Sequence, residues 1–365
     1  MHAHTISGTS VDLCSEDSAC DSACDRDSEC NSDSDSECDV GTVVLPDGVE
    51  QIDYDTLRVL APETEPAAPP STTSSRLVKT ATAFFVSPDP RRAGIKAQVL
   101  LFSAVPAADE EHVRTELARL CGLGVRAPHP GLVPYLGLCV PPRDPLCLVA
   151  AYVPPAAALC SRVAALARAG REMPLAERVS VCTQVAAALQ HLHRHGVVHG
   201  SLTPAAVHVF SDRTDKHGSA LCQLSAYGIE PALAPLSSSS GSSDDDEESE
   251  EDEEEEERFL CFRAPEVLLA SADATPQSDV YSLGVLMLYM LQRGAVPLAR
   301  QSRAQLRATV AGCVQARAKT VVAVPPTLRC EYGYARLLTR CCRIDPARRP
   351  ADMDAVLAQL HTLVT

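Results

Sequence analysis

The stretch that decides the fold is HGVVHGSLTP, at residues 195–204. Ahead of it, apolar residues recur at intervals of three and four between Leu175 and Leu192, which predicts an amphipathic helix that ends where the stretch begins. Residues 280–291 are apolar nearly all round, and this pattern predicts a helix buried on every side. Four motifs follow the first stretch: LSAYG at 224–228, FRAPEVL at 262–268, SDVYSLGV at 278–285 and DPARRP at 345–350.

In this order and at these spacings, the five motifs resemble those of the protein kinase family, from its catalytic loop to its last helices. The resemblance covers roughly residues 76–365. It implies an α+β, bilobal protein-kinase-like fold, with a small β-rich N-lobe at about 76–153 and a larger helical C-lobe at about 154–365. A fold by itself does not define a function, so the residues at the chemical positions decide what the domain can do.

Phosphoryl transfer depends on positioning and charge neutralisation, so it needs an aspartate for the substrate hydroxyl and oxygen ligands for magnesium. The family's catalytic loop reads HRDLKPxN, whereas residues 199–206 read HGSLTPAA. The resemblance therefore places Ser201 at the catalytic aspartate, Thr203 at the lysine and Ala206 at the metal-binding asparagine. Ala226 stands where the family's DFG motif has its metal-binding aspartate. Residues 77–86 contain no glycine, so the glycine-rich phosphate loop is also missing.

The upstream half of the domain matches the family more loosely. AGIK at 93–96 resembles the strand that carries the ATP-contacting lysine, which would be Lys96. The resemblance also implies that Glu116 is the ion-pair partner of this lysine and that Ala150 is a small gatekeeper beside the nucleotide pocket. Two interpretations of Lys96 stay open: contact with a nucleotide, or an ion pair with Glu116 that only braces the lobe. The second is favoured because both metal ligands are missing.

The positions that hold the family's fold are retained. Glu266 and Arg349 match the family's buried ion pair, and a buried carboxylate is costly without its partner. Asp279 matches the residue that hydrogen-bonds the backbone of the catalytic loop. The remaining matches are His199, Tyr227 and Leu120, in the hydrophobic column that joins the lobes, and Gly228, which ends the degenerate DFG motif.

Retained structure without the chemical groups predicts a pseudokinase, a catalytically inactive kinase-like domain that acts as a signalling scaffold or allosteric binding partner. We expect no metal and no cofactor, or at most weak ATP binding that is independent of magnesium. The expected partners are proteins, such as a kinase or a basic protein, and neither nucleic acid nor a membrane. Two alternatives stay open: a divergent active serine/threonine kinase that binds ATP, and a protein whose acidic segments bind basic partners.

The charge of the chain is uneven. The net charge is -16, but residues 1–40 hold eleven acids and one base, residues 244–257 hold thirteen acids and no base, and the remainder is about +7. Such compositions predict disorder, in an acidic and proline-rich region at 1–75 and in an acidic insert at 237–257. Residues 41–60 are either a short docking strand or a partner motif. The insert is either a passive spacer or a segment that lies over a basic surface.

The sixteen cysteines raise the question of a disulfide scaffold. The chain starts Met-His-Ala-His-Thr, without the basic and apolar regions of a secretory signal, so reduced thiols are expected. No apolar run approaches the length of a membrane span. These observations predict a cytoplasmic protein, with a nuclear location as the alternative.

Overall fold

The computed structural model describes residue 45 and residues 49–59, 78–86, 94–102, 105–140, 145–214, 219–237, 258–270, 273–325 and 331–363. Three segments for which disorder or a linker was predicted lie outside these ranges. They are the acidic tail at 1–40, the proline-rich run at 61–70 and residues 238–257 of the acidic insert.

The N-lobe is a five-stranded antiparallel sheet with one helix. Its strands are β1 (Leu57–Val59), β2 (Val78–Phe85), β3 (Lys96–Phe102), β4 (Tyr135–Cys139) and β5 (Cys147–Ala151), in the spatial order β1-β2-β3-β5-β4. Helix α1 (Ala107–Arg126) follows β3 in the chain and packs against β4. This confirms the β-rich lobe that the resemblance implies.

Residues that precede residue 76, the predicted start of the domain, complete this sheet. We call residues 49–59 the strap. The amide of Ile52 donates to the carbonyl of Leu138 in β4 over 2.8 Å, and the Leu138 amide donates to the carbonyl of Glu50 over 3.0 Å. A few residues later, β1 pairs with β2 at the opposite edge of the sheet. The strap thus covers both edges, which supports a docking strand within residues 41–60 and puts folded chain ahead of residue 76.

The strap also closes a small core of its own. Ile52 is 2% exposed and Leu57 is 6% exposed, and burial of such a side chain stabilises the fold by roughly 1.5–3 kcal/mol. Gly137 in β4 lets the strap approach, because a Cβ there would collide with the carbonyl oxygen of Glu50 and lie 2.9 Å from Cδ1 of Ile52. The cluster consists of Ile52, Leu57, Ala83, Phe85, Ala97, Val99, Cys139, Cys147 and Val149.

The C-lobe is helical, with one β-hairpin. Its elements are α2 (Leu159–Arg168), α3 (Leu175–Arg194), β6 (Val207–Thr214), β7 (Ala220–Leu224), α4 (Ile229–Ser237), α5 (Pro265–Ala270), α6 (Pro276–Leu291), α7 (Arg303–Gln315), α8 (Tyr332–Cys341) and α9 (Met353–His361). Helix α3 is the amphipathic helix predicted ahead of HGVVHGSLTP. Helix α6 is buried from Ser278 to Leu291, as its all-round apolar pattern predicts, and it packs against α3 and α8.

A capping box determines where α6 begins. The hydroxyl of Thr275 accepts the amide of Ser278 at 3.3 Å, and the hydroxyl of Ser278 accepts the amide of Thr275 at 2.9 Å. Reciprocal caps of this kind satisfy two backbone donors that a helix N-terminus otherwise leaves unpaired. Asp279 therefore lies in the first turn of the helix, where its carboxylate can reach neighbouring backbone.

The cysteines of the described chain are all free thiols, and eight of these ten are buried. Burial raises the pKa of four thiols to about 12, so they pack as small apolar groups and are poor nucleophiles. These four are Cys121, Cys182, Cys261 and Cys341. Across the described ranges, no helix combines the length and the apolar character that a membrane crossing requires.

Candidate functional site

The stretch at 195–204 forms a loop between α3 and β6, and Asp279 holds it. Oδ2 of Asp279 accepts the backbone N–H of His199 at 2.9 Å, and Oδ1 accepts that of Gly200 at 3.0 Å. Nε2 of His193 lies 2.8 Å from the same Oδ2. Asp279 is 1% exposed, so these bonds to the carboxylate replace its water shell. The structure thus brings Asp279 and His199 together.

The four degenerate positions are buried within this loop or next to it. Ser201 is 6% exposed, Thr203 8%, Ala206 0% and Ala226 3%. The amide of Ser225 donates to the carbonyl of Ala206 at 3.0 Å, which places Ala226 next to the loop. Neither the Ser201 hydroxyl nor the Thr203 hydroxyl has a hydrogen-bond partner among the described residues.

Magnesium does not fit this site. The cation is bound through oxygen ligands, and methyl groups occupy both positions that bind it in the family, Ala206 and Ala226. Elsewhere in the part of the chain that the structure describes, no three side chains of histidine, cysteine, aspartate or glutamate come together as a metal centre would require. The two positions that hold the metal in the family therefore provide no oxygen ligand from a side chain here.

The backbone around the degenerate DFG motif is held in an uncommon conformation. Ala226 has a φ of 57°, in the left-handed region, where an L-residue is less stable by roughly 1–2 kcal/mol. Gly228 has a φ of 75°, and a Cβ there would lie 2.6 Å from Cδ2 of Leu120. The Gly228 amide donates to the carbonyl of His199 at 3.2 Å. This turn, maintained by tertiary contacts, places Tyr227 between the lobes.

Tyr227 joins the lobes through two hydrogen bonds. Its hydroxyl donates to the carbonyl of Val133 at 3.1 Å, and the hydroxyl of Tyr135 donates to the carbonyl of Tyr227 at 3.0 Å. The two rings stack with centroids 4.4 Å apart. Burial raises the pKa of both phenols, so both remain protonated donors. Sequence reasoning assigned Tyr227 to the column between the lobes but missed Tyr135.

Lys96 and Glu116 do not form the ion pair that the resemblance implies. Lys96 is the first residue of β3, next to the β2–β3 turn, and its Nζ lies 5.5 Å from the ring centroid of Phe84 and 4.8 Å from that of Tyr152. Such positions over aromatic faces are favourable for an ammonium. The carboxylate of Glu116 accepts Nε and Nη2 of Arg119 at 2.9 and 2.8 Å. Glu116 is therefore paired within α1, one turn along.

The interior position of β3 is apolar. Ala150, the expected gatekeeper, lies opposite Gln98 in the pairing of β5 with β3 and is 3% exposed. Two residues along β3, on the same face, Leu100 is buried in one cluster with Leu117 of α1. The β3 face beside Ala150 thus presents an amide and a leucine instead of a lysine.

The phosphate loop was also assigned to the wrong residues. Residues 78–85, within the segment taken as that loop, form β2 itself. The connection from β1 to β2 is residues 60–77, and this stretch of sequence contains no glycine either. The conclusion that the glycine-rich loop is missing is therefore unchanged, although its location was wrong.

Arg349 and Glu266 are brought together by the packing of α5 against the C-terminal part of the chain. The two side chains form a bidentate pair, with N–O distances of 2.6 and 2.7 Å. The Arg349 side chain is 0% exposed, whereas that of Glu266 is 23% exposed. The resemblance implies that the glutamate is the buried charge. The structure corrects this, because the arginine is the enclosed member of the pair.

His208 is a site residue that sequence reasoning missed. It lies on β6 two residues after Ala206 and is 8% exposed. Its Nε2 is 2.8 Å from the hydroxyl of Ser225, while its Nδ1 has no partner among the described residues. Burial lowers the pKa of His208 to about 4, so the imidazole is neutral at neutral pH. A histidine among strand valines was the only signal in the sequence.

A five-stranded lobe with one helix, joined to a helical lobe whose loop is held by a buried aspartate, defines the protein kinase fold. Comparison with known families agrees. The sequence profile described as protein tyrosine and serine/threonine kinase matches residues 95–360. The chain therefore belongs to this family.

Relatives among curated proteins are distant. Salt tolerance receptor-like cytoplasmic kinase 1 of Oryza sativa subsp. japonica is 30% identical over 63% of this chain and 61% of its own length. U-box domain-containing protein 33 of Arabidopsis thaliana is 29% identical over 61% of this chain and 24% of its own length. The SNF-related serine/threonine-protein kinase of Rattus norvegicus is 30% identical over 46% of this chain and 18% of its own length. The chain spans less than two thirds of each of these relatives.

Proposed function

We propose that this chain is a pseudokinase, a kinase-like domain that signals by binding proteins and does not transfer phosphate. The observation that carries the proposal is the chemistry of four buried positions, Ser201, Thr203, Ala206 and Ala226. None of them provides the carboxylate, lysine or amide that phosphoryl transfer requires. A serine hydroxyl is too weakly basic to accept the proton of a substrate hydroxyl at neutral pH.

The apolar interior of the N-lobe is also unfavourable for nucleotide binding. Leu100 and Ala150 have uncharged side chains and are 5% and 3% exposed, so neither offers a charge or an open surface to a triphosphate. Lys96 lies at the far end of β3 between two aromatic rings. We therefore propose that ATP binds weakly or not at all, and that magnesium does not strengthen the binding.

The preserved framework supports a binding role. Asp279 fixes the loop, Arg349 fixes α5, and Tyr227 joins the lobes, so contacts within the chain hold the framework that carries the surface. Ordered surfaces bind without the entropic cost of arranging themselves first. The partners we propose are proteins, a kinase or a basic protein among them, in the cytoplasm or the nucleus.

The relatives favour a second candidate, a divergent kinase that transfers phosphate, because two of those described above carry the word kinase in their names. This candidate requires side chains other than those of the family motif to hold the metal and accept the proton. It also requires the nucleotide to bind with magnesium, which gives a direct way to separate the two functions.

A thermal-shift measurement on the full chain tests the proposal. We expect the melting temperature to change equally little with ATP plus chelator and with ATP plus magnesium, since ligand-linked stabilisation follows affinity. Incorporation of radiolabelled phosphate into a basic protein should be no higher than in the same mixture without the chain. The double variant Ala206→Asn with Ala226→Asp restores both metal ligands and is the matched positive case for a magnesium effect. Robust incorporation by the unaltered chain would overturn the proposal.

A further inference from the structure

One strongly basic part of the C-lobe has no role in the proposed function. From residue 293 to residue 330 the sequence contains seven cations and no acid. Six of these cations are exposed in the described structure. Arg293 pairs with Glu172, and the other five lie on α7 and on the loops at its two ends. We call these five residues the basic face: Arg300, Arg303, Arg307, Arg317 and Lys319.

The fold holds the basic face in place. Leu306 and Val310 bury one side of α7 at 2% exposure each, and Arg303 and Arg307 lie one turn apart along the exposed edge of that side. Nη2 of Arg307 donates to the carbonyl of Leu269, at the end of α5, over 3.1 Å. Like charges at this spacing repel each other, so the surface favours an anionic occupant.

The same chain contains an anionic segment of matching size. Residues 244–257 hold thirteen acids and no base. Fully extended, these fourteen residues reach roughly 45–50 Å, while the thirteen residues of α7 span about 20 Å. The segment is therefore long enough to lie along the whole basic face.

The residues that directly follow the acidic segment lie next to the basic face. Described structure resumes at residue 258, and the short helical turn at Leu260–Phe262 contacts α7. Arg263 follows immediately and is close enough to Arg303 that, after burial, the charge of Arg303 contributes to lowering the pKa of Arg263 to about 10. A segment tethered so close experiences an effective concentration near the millimolar range, which gives it an advantage over a free polyanion.

We propose that the acidic segment at residues 244–257 binds the basic face of its own chain. The contact consists of many exposed charges, so it weakens with salt. While it is formed, an acidic peptide or a nucleic acid has to displace the segment before it can occupy the basic face.

Zero-length cross-linking with a carbodiimide tests this contact, because it joins lysine amines to carboxylates that touch them. The chain has four lysines, Lys79, Lys96, Lys216 and Lys319, and of these only Lys319 belongs to the basic face. On the full chain we expect cross-links from residues 244–257 to Lys319, in the monomer band, mapped by mass spectrometry. Raising the salt from about 0.05 to 0.5 M should lower their yield by roughly five-fold or more, because exposed charges are then screened.

A charge-reversed variant provides the control. Arg300→Glu combined with Arg303→Glu should reduce the Lys319 cross-links at least as strongly as salt does. Arg58→Glu, a reversal at an exposed residue of β1 in the other lobe, should leave them unchanged. The salt series on the unaltered chain gives the answer even where the double variant does not fold. The proposal is wrong if Lys319 is not cross-linked, if Lys79 is cross-linked equally well, if charge reversal has no effect, or if the products are only dimers.

Discussion

Arg349 uses all five of its N–H donors, and two of them go to Glu266. Nη1 and Nη2 donate to the two carboxylate oxygens at 2.6 and 2.7 Å. The other three donors go to backbone carbonyls, those of Arg343, Gln277 and Ile344. The relationship is therefore unequal: the arginine binds backbone from two chain segments as well as the carboxylate, whereas among the described residues the glutamate side chain bonds only the arginine.

This inequality predicts different costs for removing the two partners. Arg349→Ala removes the side-chain donors of three backbone carbonyls and of the Glu266 carboxylate, and should lower the free energy of unfolding by roughly 3–5 kcal/mol. Glu266→Ala leaves the guanidinium its three carbonyls, and water can enter where the 23% exposed carboxylate was, so roughly 1.5–3 kcal/mol is expected. Urea denaturation measures both. Arg348→Ala, at a neighbouring side chain that is 76% exposed, should change stability by no more than about 0.5 kcal/mol. Equal losses in the first two variants would contradict this account.

Arg317 gives a prediction about backbone strain. It follows the end of α7 with a φ of 53°, and the amide of Ala318 donates back to the carbonyl of Cys313 at 2.9 Å. Helix ends of this kind favour glycine at the left-handed residue. Arg317→Gly should therefore be more stable than Arg317→Ala by roughly 1 kcal/mol, since both lose the same charge and only alanine retains the strain. Melting curves measure the stabilities of the two variants. Equal stabilities would show that the backbone at residue 317 is not strained.

Gly137 tests the docking of the strap. Gly137→Ala places a methyl group against the Glu50 carbonyl and Ile52, so the strap has to move and the N-lobe should lose roughly 1–3 kcal/mol. Gly124→Ala is the matched control, because the nearest atom to a Cβ there is 3.9 Å away. Limited proteolysis should cut within residues 49–59 in the first variant and spare them in the second. Resistance of both variants to protease would show that the strap tolerates the methyl group.

His208 predicts a pH dependence of stability. Burial lowers its pKa from 6.5 to about 4, so below pH 6.5 the unfolded chain binds a proton that the folded chain does not. The stability that neutral His208 contributes is fully present above pH 6.5. It is lost as the pH drops towards 4, by up to about 1.4 kcal/mol per pH unit. Between pH 7 and pH 5, the free energy of unfolding of the His208→Leu variant should therefore fall by roughly 2 kcal/mol less than that of the unaltered chain. Parallel pH profiles for the two proteins would rule out this role for His208.

The C-terminal part of the fold could be predicted because its motifs are local. A loop, a helix start and an ion pair each depend on residue types that leave a mark within a few positions, as Asp279 does in the first turn of α6. Their spacing in the chain then orders the helices, so the positions of Ser201 and Ala226 followed from the motifs around them. The buried surroundings of these residues did not follow, because burial depends on packing between lobes.

Predictions for the N-lobe were less accurate, for a physical reason. Alternation along a strand repeats every two residues, so a shift of four residues leaves every side chain on its original face, and Lys96 and Leu100 cannot be told apart by pattern. The three-residue strand β1 is too short to show any period. The contact of Tyr135 with Tyr227 joins residues 92 positions apart, and no local signal marks it.

The stacked pair of Tyr135 and Tyr227 has a consequence for motion. Each ring is hydrogen-bonded into the backbone that supports the other, so opening the cleft between the lobes would break two buried hydrogen bonds and separate two aromatic faces. An enzyme that takes up and releases a nucleotide in every cycle needs such an opening on the microsecond-to-millisecond timescale. In this protein, the two hydrogen bonds and the stacked rings oppose that opening. A partner that contacts both lobes therefore meets them in the arrangement that this tyrosine pair holds, and does not have to bring the lobes together itself.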